Sequence, residues 1–94
     1  MADVEVTKNE DEKRYEARVD GELAGSAYYD AADDLIVFTH TEVDDAYEGK
    51  GVGSALAKGA LDDVRADGSR KVVARCSFIK SWIERHPDYQ DLLE

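Results

Sequence analysis

The run Glu48-Gly49-Lys50-Gly51-Val52-Gly53-Ser54 sets three glycines at alternate positions, just before a segment whose apolar residues recur at helical spacing. Glycine lets the backbone turn sharply and approach a ligand closely. The first turn of a helix leaves its amide N–H groups unpaired and carries a partial positive charge. Together these features make a cradle for an anion, and phosphate or pyrophosphate suits it best. A Walker loop is excluded, because no Gly-x-x-x-x-Gly-Lys-Ser/Thr string occurs. A dinucleotide fingerprint fits poorly, since its third glycine or alanine position falls on Ser54 or Leu56. The plain alternative is a tight strand-to-helix connection with no ligand.

Three side chains elsewhere can move protons or groups. Cys76 sits where a strand ends and a helix begins, a position at which helix amides favour a thiolate. It can act as an acid or a nucleophile, or be an inert core thiol. His40, in a β-branched run, can serve as a general base, or be a strand histidine that orders its neighbours. By strict alternation His40 and Val37 lie on different faces, whereas Glu42 shares the face of His40 as a second base or an amine-binding carboxylate. His86 and Tyr89 suit packing or capping, and Phe78, Trp82 and Ile83 suit a core. Two histidines and one cysteine, far apart, lack metal-ligand spacing.

These residues must be positioned by regular elements. Val4 and Val6 alternate with polar residues, then Tyr15, Ala17 and Val19 do so, and Asp20-Gly21 is a hairpin signal. Leu23 to Tyr29 makes a third strand, and the apolar run Leu35 to Thr41 reads as a central strand buried on both faces. Leu56, Ala57, Ala60, Leu61 and Val64 form an amphipathic stripe, predicting a helix from near Gly51 to Asp67-Gly68. Val72 to Ala74 is a further strand, Phe78 to Ile83 a second helix halted before Pro87, and Asp88 to Leu93 a short helical turn. Four strands, helix, strand, helix implies an α/β (α+β) class: a mixed, mostly antiparallel sheet of about five strands with two to three helices.

Length and composition bound the rest. The 94 residues suit one small domain, here 1–94. Hydrophobic residues at 43% are too many for a disordered chain. No apolar run is long enough to span a membrane, the first residues lack a secretory signal, and one cysteine cannot form an internal disulfide, so a cytoplasmic location is expected. The formal charge of -10 is spread over the chain and argues against a nucleic-acid groove. Dispersed carboxylates can solvate the protein in high salt or attract a cationic acceptor, and their scatter favours the first. The pattern resembles the acidic cytoplasmic proteins of salt-accumulating microbes.

Glu48-Lys50-Gly51-Gly53 also fits Gln/Arg-x-x-Gly-x-Gly/Ala, with a glutamate in the first position. Joined to His40-Thr41-Glu42-Val43 and Cys76-Ser77-Phe78, it resembles the small stand-alone GCN5-related N-acetyltransferase-like proteins, of the bacterial YjdJ and eukaryotic N-acetyltransferase domain-containing types, over about residues 13 to 93. The resemblance implies acetyl-coenzyme A as donor. Its pyrophosphate would rest on the amides of Gly49, Lys50, Gly51, Val52, Gly53 and Ser54. Its pantetheine arm would pair along Thr41 to Val43, with Val43 as the foremost contact. The thioester would point into the gap beside Cys76, making Cys76, His40 and Glu42 the catalytic candidates and a small amine or protein lysine the acceptor.

Two departures stand out. Glu48 puts a carboxylate where the family has a neutral or basic side chain, so it is expected to point outward. Larger relatives place a tyrosine acid where this chain has Ile83. Two functions follow: a minimal N-acetyltransferase, expected to be a monomer or weak dimer, or a non-catalytic coenzyme A-binding module.

Overall fold

The computed structural model describes residues 4–94. Strands β1 (Val4–Asn9), β2 (Arg14–Val19), β3 (Glu22–Ala31) and β4 (Leu35–Val43) form an antiparallel meander. Helix α1 (Val52–Asp67) then carries the chain to β5 (Lys71–Ala74), which pairs parallel with β4. Helix α2 (Ser77–Glu84) and a 3₁₀ segment (Pro87–Leu92) complete this mixed α+β fold, in sheet order β1-β2-β3-β4-β5. Among the described residues, no helix is long and apolar enough to cross a membrane.

Local chemistry accounts for the turns. Asp20 and Gly21 both take positive φ, 52° and 83°, as a two-residue hairpin turn requires. Gly68 ends α1 at φ 75°, its amide bonded to the Val64 carbonyl. The predicted stripe of α1 is buried, together with Val52. It packs on Tyr15, Ala17, Ala27, Ile36 and Phe38 in one apolar cluster with Ile79, Trp82 and Ile83 of α2. Gly59 lets α1 approach β1 closely, since a Cβ there would lie 2.8 Å from the Val6 side chain.

Strand β4 departs from expectation. It is not buried on both faces: Ile36 and Phe38 are buried, but Val37 is only half-buried and Thr39, His40 and Glu42 are exposed. The core lies on one side of the sheet, and the β-branched richness of β4 reflects its central place in the ladder rather than two covering layers.

Candidate active site

Between β4 and α1 the chain makes a 3₁₀ turn, Asp45–Tyr47, capped by the Asp44 carboxylate, which accepts from the Ala46 amide at 2.9 Å. The Lys50 amide bonds back to the Tyr47 carbonyl at 3.3 Å. Gly49 and Gly51 adopt φ of 77° and 78° with nothing within 4 Å of where a Cβ would stand. Conformation, not crowding, demands glycine at both positions.

Gly51 is the N-cap of α1 and offers no side-chain cap. The first helical bond runs from the Ala55 amide to the Gly51 carbonyl at 3.0 Å, and among the described residues the amides of Val52, Gly53 and Ser54 meet no acceptor at hydrogen-bond geometry. These free donors, at the positive end of a 16-residue helix, fit an anion such as a pyrophosphate. Glu48 is exposed and, among the described residues, its side chain makes no hydrogen bond, so it is not tied into the cradle.

The loop has a second structural duty. A Cβ on Gly53 would lie 2.8 Å from Cζ of Phe78, so this glycine lets α2 close against α1. The Ser54 hydroxyl accepts from Trp82 Nε1 at 3.0 Å. Trp82 in turn stacks on His86 with centroids 3.8 Å apart, and His86 Nδ1 lies 2.7 Å from the Trp82 carbonyl. Tyr89 donates to Asp62 at 2.6 Å, which holds the Asp62 carboxyl below the usual carboxylate range. His86 and Tyr89 thus brace α2 against α1.

The parallel ladder ends at Phe38 opposite Ala74. The Phe38 carbonyl accepts from both the Arg75 and Cys76 amides, at 3.0 and 2.9 Å, and the two strands part there. Beyond that point β4 continues to Val43 with, among the described residues, only β3 beside it. Its other edge presents backbone groups without a neighbouring strand, able to pair with an extended ligand as a strand would. Cys76 is the N-cap of α2, 6% exposed, with Sγ 3.2 Å from Thr41 Oγ1.

His40 and Glu42 occupy the other side of the sheet. Tyr28 pairs with His40 but Tyr29 pairs with Phe38, so Thr39 is an extra residue in β4. This bulge reverses the alternation. Thr41 and Val43 therefore turn toward the helices, while His40 and Glu42 join the face of Val37. Strict alternation predicts different faces for His40 and Val37, and the bulge is what overturns it. His40 Nε2 and Glu42 Oε1 lie 3.1 Å apart, both side chains about three-fifths exposed, at 61% and 62%. The fold thus brings His40 and Glu42 together and sets Cys76 across the sheet from them, at the same open edge.

The register builds two polar rows on this outer face: Asn9, Arg14, Tyr28 and His40, and beside it Thr7, Glu16, Ser26 and Glu42. Glu16 accepts from Arg14 at 2.7 Å, Arg18 at 2.9 Å and Asn9 at 3.1 Å. The Arg14 hydrogen bond foremost holds the Glu16 carboxyl below its ordinary value. A trough of about 690 Å³ opens over these rows between Arg14 and Asp45. Ser26 and Tyr28 were not among the sequence candidates. Their alternation with Ala27 and Tyr29 was the available signal, but only the register sets them beside Glu42 and His40.

A mixed meander whose fourth strand splays from the fifth, beside a glycine-initiated helix, defines an acetyltransferase-type α+β domain. Residues 14–92 match the family described as GCN5-related N-acetyl-transferase, and the chain belongs to that family. It is also similar to Protein NATD1 of Bos taurus, 40% identical over 53 residues that make up 56% of this chain and 46% of the relative. Protein NATD1 of Gallus gallus and of Homo sapiens are each 38% identical over 53 residues, 56% of this chain and 47% and 46% of theirs. The chain spans about half the length of the curated relatives it matches.

Proposed function

We propose that the protein is an acetyl-coenzyme A-dependent N-acetyltransferase of minimal size, with a primary amine as acceptor. The observation that carries this reading is the continuity of the open β4 edge with the uncapped N-terminus of α1. An extended pantetheine arm laid along Thr41 to Val43 would deliver its pyrophosphate to the free amides of Val52, Gly53 and Ser54. Gly49 and Gly51 shape that turn, and Lys50 contributes its exposed side chain, its amide being engaged with Tyr47. The donor supplies an activated acetyl thioester; binding, orientation and proton transfer fall to the chain.

In the transfer, the amine nitrogen forms a bond to the acetyl carbon and the carbon–sulfur bond breaks. The ammonium must first lose a proton, and the departing thiolate must gain one. His40, oriented by Glu42 at 3.1 Å, suits the first task. Cys76, bonded to Thr41, suits the second, or can carry the acetyl group as a thioester between donor and amine.

Calorimetry with acetyl-coenzyme A, followed by an amine panel scored for free thiol, tests the reading. Saturable binding with thiol release is expected; no binding at millimolar donor overturns it. An acetyl-sized mass increase on the intact protein, absent in Cys76→Ala, identifies the covalent route. A second reading, a coenzyme A-binding module without transfer, is favoured by Ile83, a buried hydrocarbon where larger relatives carry a tyrosine acid. It predicts donor binding without thiol release.

A further inference from the structure

The outer trough is not accounted for by the donor site. Its lining includes Arg14, Ser26, Tyr28, His40, Glu42 and Asp45. The side chains standing on this face alternate with residues that pack beneath the helices, so the trough opens away from α1 and α2. Ser26 is a serine only 4% exposed in the middle of a sheet. Among the described residues its hydroxyl makes no hydrogen bond, yet no polar side-chain atom is sealed away without a partner. The hydroxyl therefore opens into the trough. A polar group sunk in this way, cross-strand from Glu42, has both lone pairs available for a ligand donor.

Charge selects the ligand. Arg14, the cation of the lining, is occupied by Glu16 at 2.7 Å and by the Tyr28 hydroxyl at 3.2 Å. Asp44 and Asp45 lie at the other end, and Asp44 uses one carboxylate oxygen to cap the Ala46 amide. The exposed His40–Glu42 pair stands between Arg14 and these aspartates. Positions two residues apart on an extended segment, such as Glu42 and Asp44, repeat at roughly 6–7 Å along the backbone, near the separation of two nitrogens joined by about four methylenes.

From these features we infer that the trough is the acceptor site and that it takes a primary alkylammonium carrying a second positive charge, as in a polyamine or adjacent lysine side chains. One ammonium donates to the Ser26 hydroxyl and Glu42 beside His40; the other pairs with Asp44 and Asp45. The inference rests on the transferase reading for the word acceptor, but the binding it describes needs no donor.

The test titrates the donor-free protein with spermidine and, separately, with a dilysine peptide, following backbone amides by NMR. Saturable shifts centred on Ser26, Glu42 and Asp44 are expected with at least one of the two, and the stronger response identifies the source. Glu42→Gln with Asp45→Asn should weaken that binding at least tenfold. Asp33→Asn with Asp34→Asn, an equal charge change in the turn before β4, should alter it less than twofold. Equal weakening by both pairs would reduce the effect to the diffuse acidic field and overturn the site, as would no saturable shift with either amine. Amine binding without acetyl-coenzyme A binding would instead sink the transferase reading and leave the trough standing.

Discussion

The two faces of the sheet obey different physics. The helix face is apolar and closed: Phe38 and Tyr15 are 0% and 1% exposed beneath α1. Among the described residues the outer face carries no helix, and it holds its order through hydrogen bonds among Glu16, Arg14, Arg18 and Asn9. Stability is thus concentrated on one side, while the other is free to be polar, open and chemically specialised. The bulge at Thr39 joins them, since it directs Thr41 toward Cys76 and His40 toward the trough from one strand.

The sharpest test of that division lies two residues apart on β4. Phe38→Ala removes a fully buried ring and should cost about 3–5 kcal/mol in urea unfolding. His40→Ala, on the exposed face, should stay within about 0.5 kcal/mol of the parent while, on the proposed transferase reading, lowering acetyl transfer by roughly 10²–10⁴-fold. A large stability loss in His40→Ala would break the comparison.

Gly53→Ala comes next. Its Cβ would stand 2.8 Å from the Phe78 ring, so α2 must shift or the ring must turn. Overpacking of this kind should cost about 1–3 kcal/mol, read from the denaturation midpoint. Gly49→Ala meets no atom but strains a backbone at φ 77°, and should cost about 1–2 kcal/mol.

These glycines also mark what the sequence made legible. Hairpin, helix start and helix stop were readable because Asp20-Gly21, Gly51 and Gly68 act on their own backbone, independent of distant residues. The alternation of β2 and the stripe of α1 were readable for the same local reason. The Thr39 bulge was not, because no glycine or proline marks it and it arises from the pairing of Tyr28 with His40. The candidate site divides likewise: the anion cradle is one contiguous loop, whereas the trough exists only through the register of three strands. The role of Gly53 against Phe78 was hidden because it joins two helices 25 positions apart in sequence, from 53 to 78.

On the outer face, Glu16→Gln should destabilise by about 1–2 kcal/mol at neutral pH, less than a core deletion because Arg14 and Arg18 keep access to water. The folded carboxyl titrates below the unfolded value of about 4.3. Its contribution is therefore complete above that value and is lost as pH falls through the folded pKa. Urea unfolding across acid pH should show parent and variant converging as Glu16 protonates. A gap that persists unchanged would mean the carboxylate charge contributes nothing to this face.

The smallest effect tests how the helix face supports the anion cradle. Trp82 Nε1 donates to Ser54 Oγ at 3.0 Å, fixing the first turn of α1 against α2. Ser54 is exposed, so in Ser54→Ala water can reach the indole N–H, and the loss should be that of one net hydrogen bond, about 0.5–1.5 kcal/mol. Trp82→Phe removes the same bond but also disturbs the stack on His86, so its total cost should be larger. A double-mutant cycle removes that extra term and should return a coupling of about 0.5–1.5 kcal/mol between the two positions. Because the amides of Val52, Gly53 and Ser54 are held by the same turn, Ser54→Ala should also speed their hydrogen exchange. Coupling near zero with unchanged exchange would mean that packing of Phe78 on Gly53 alone sets the cradle.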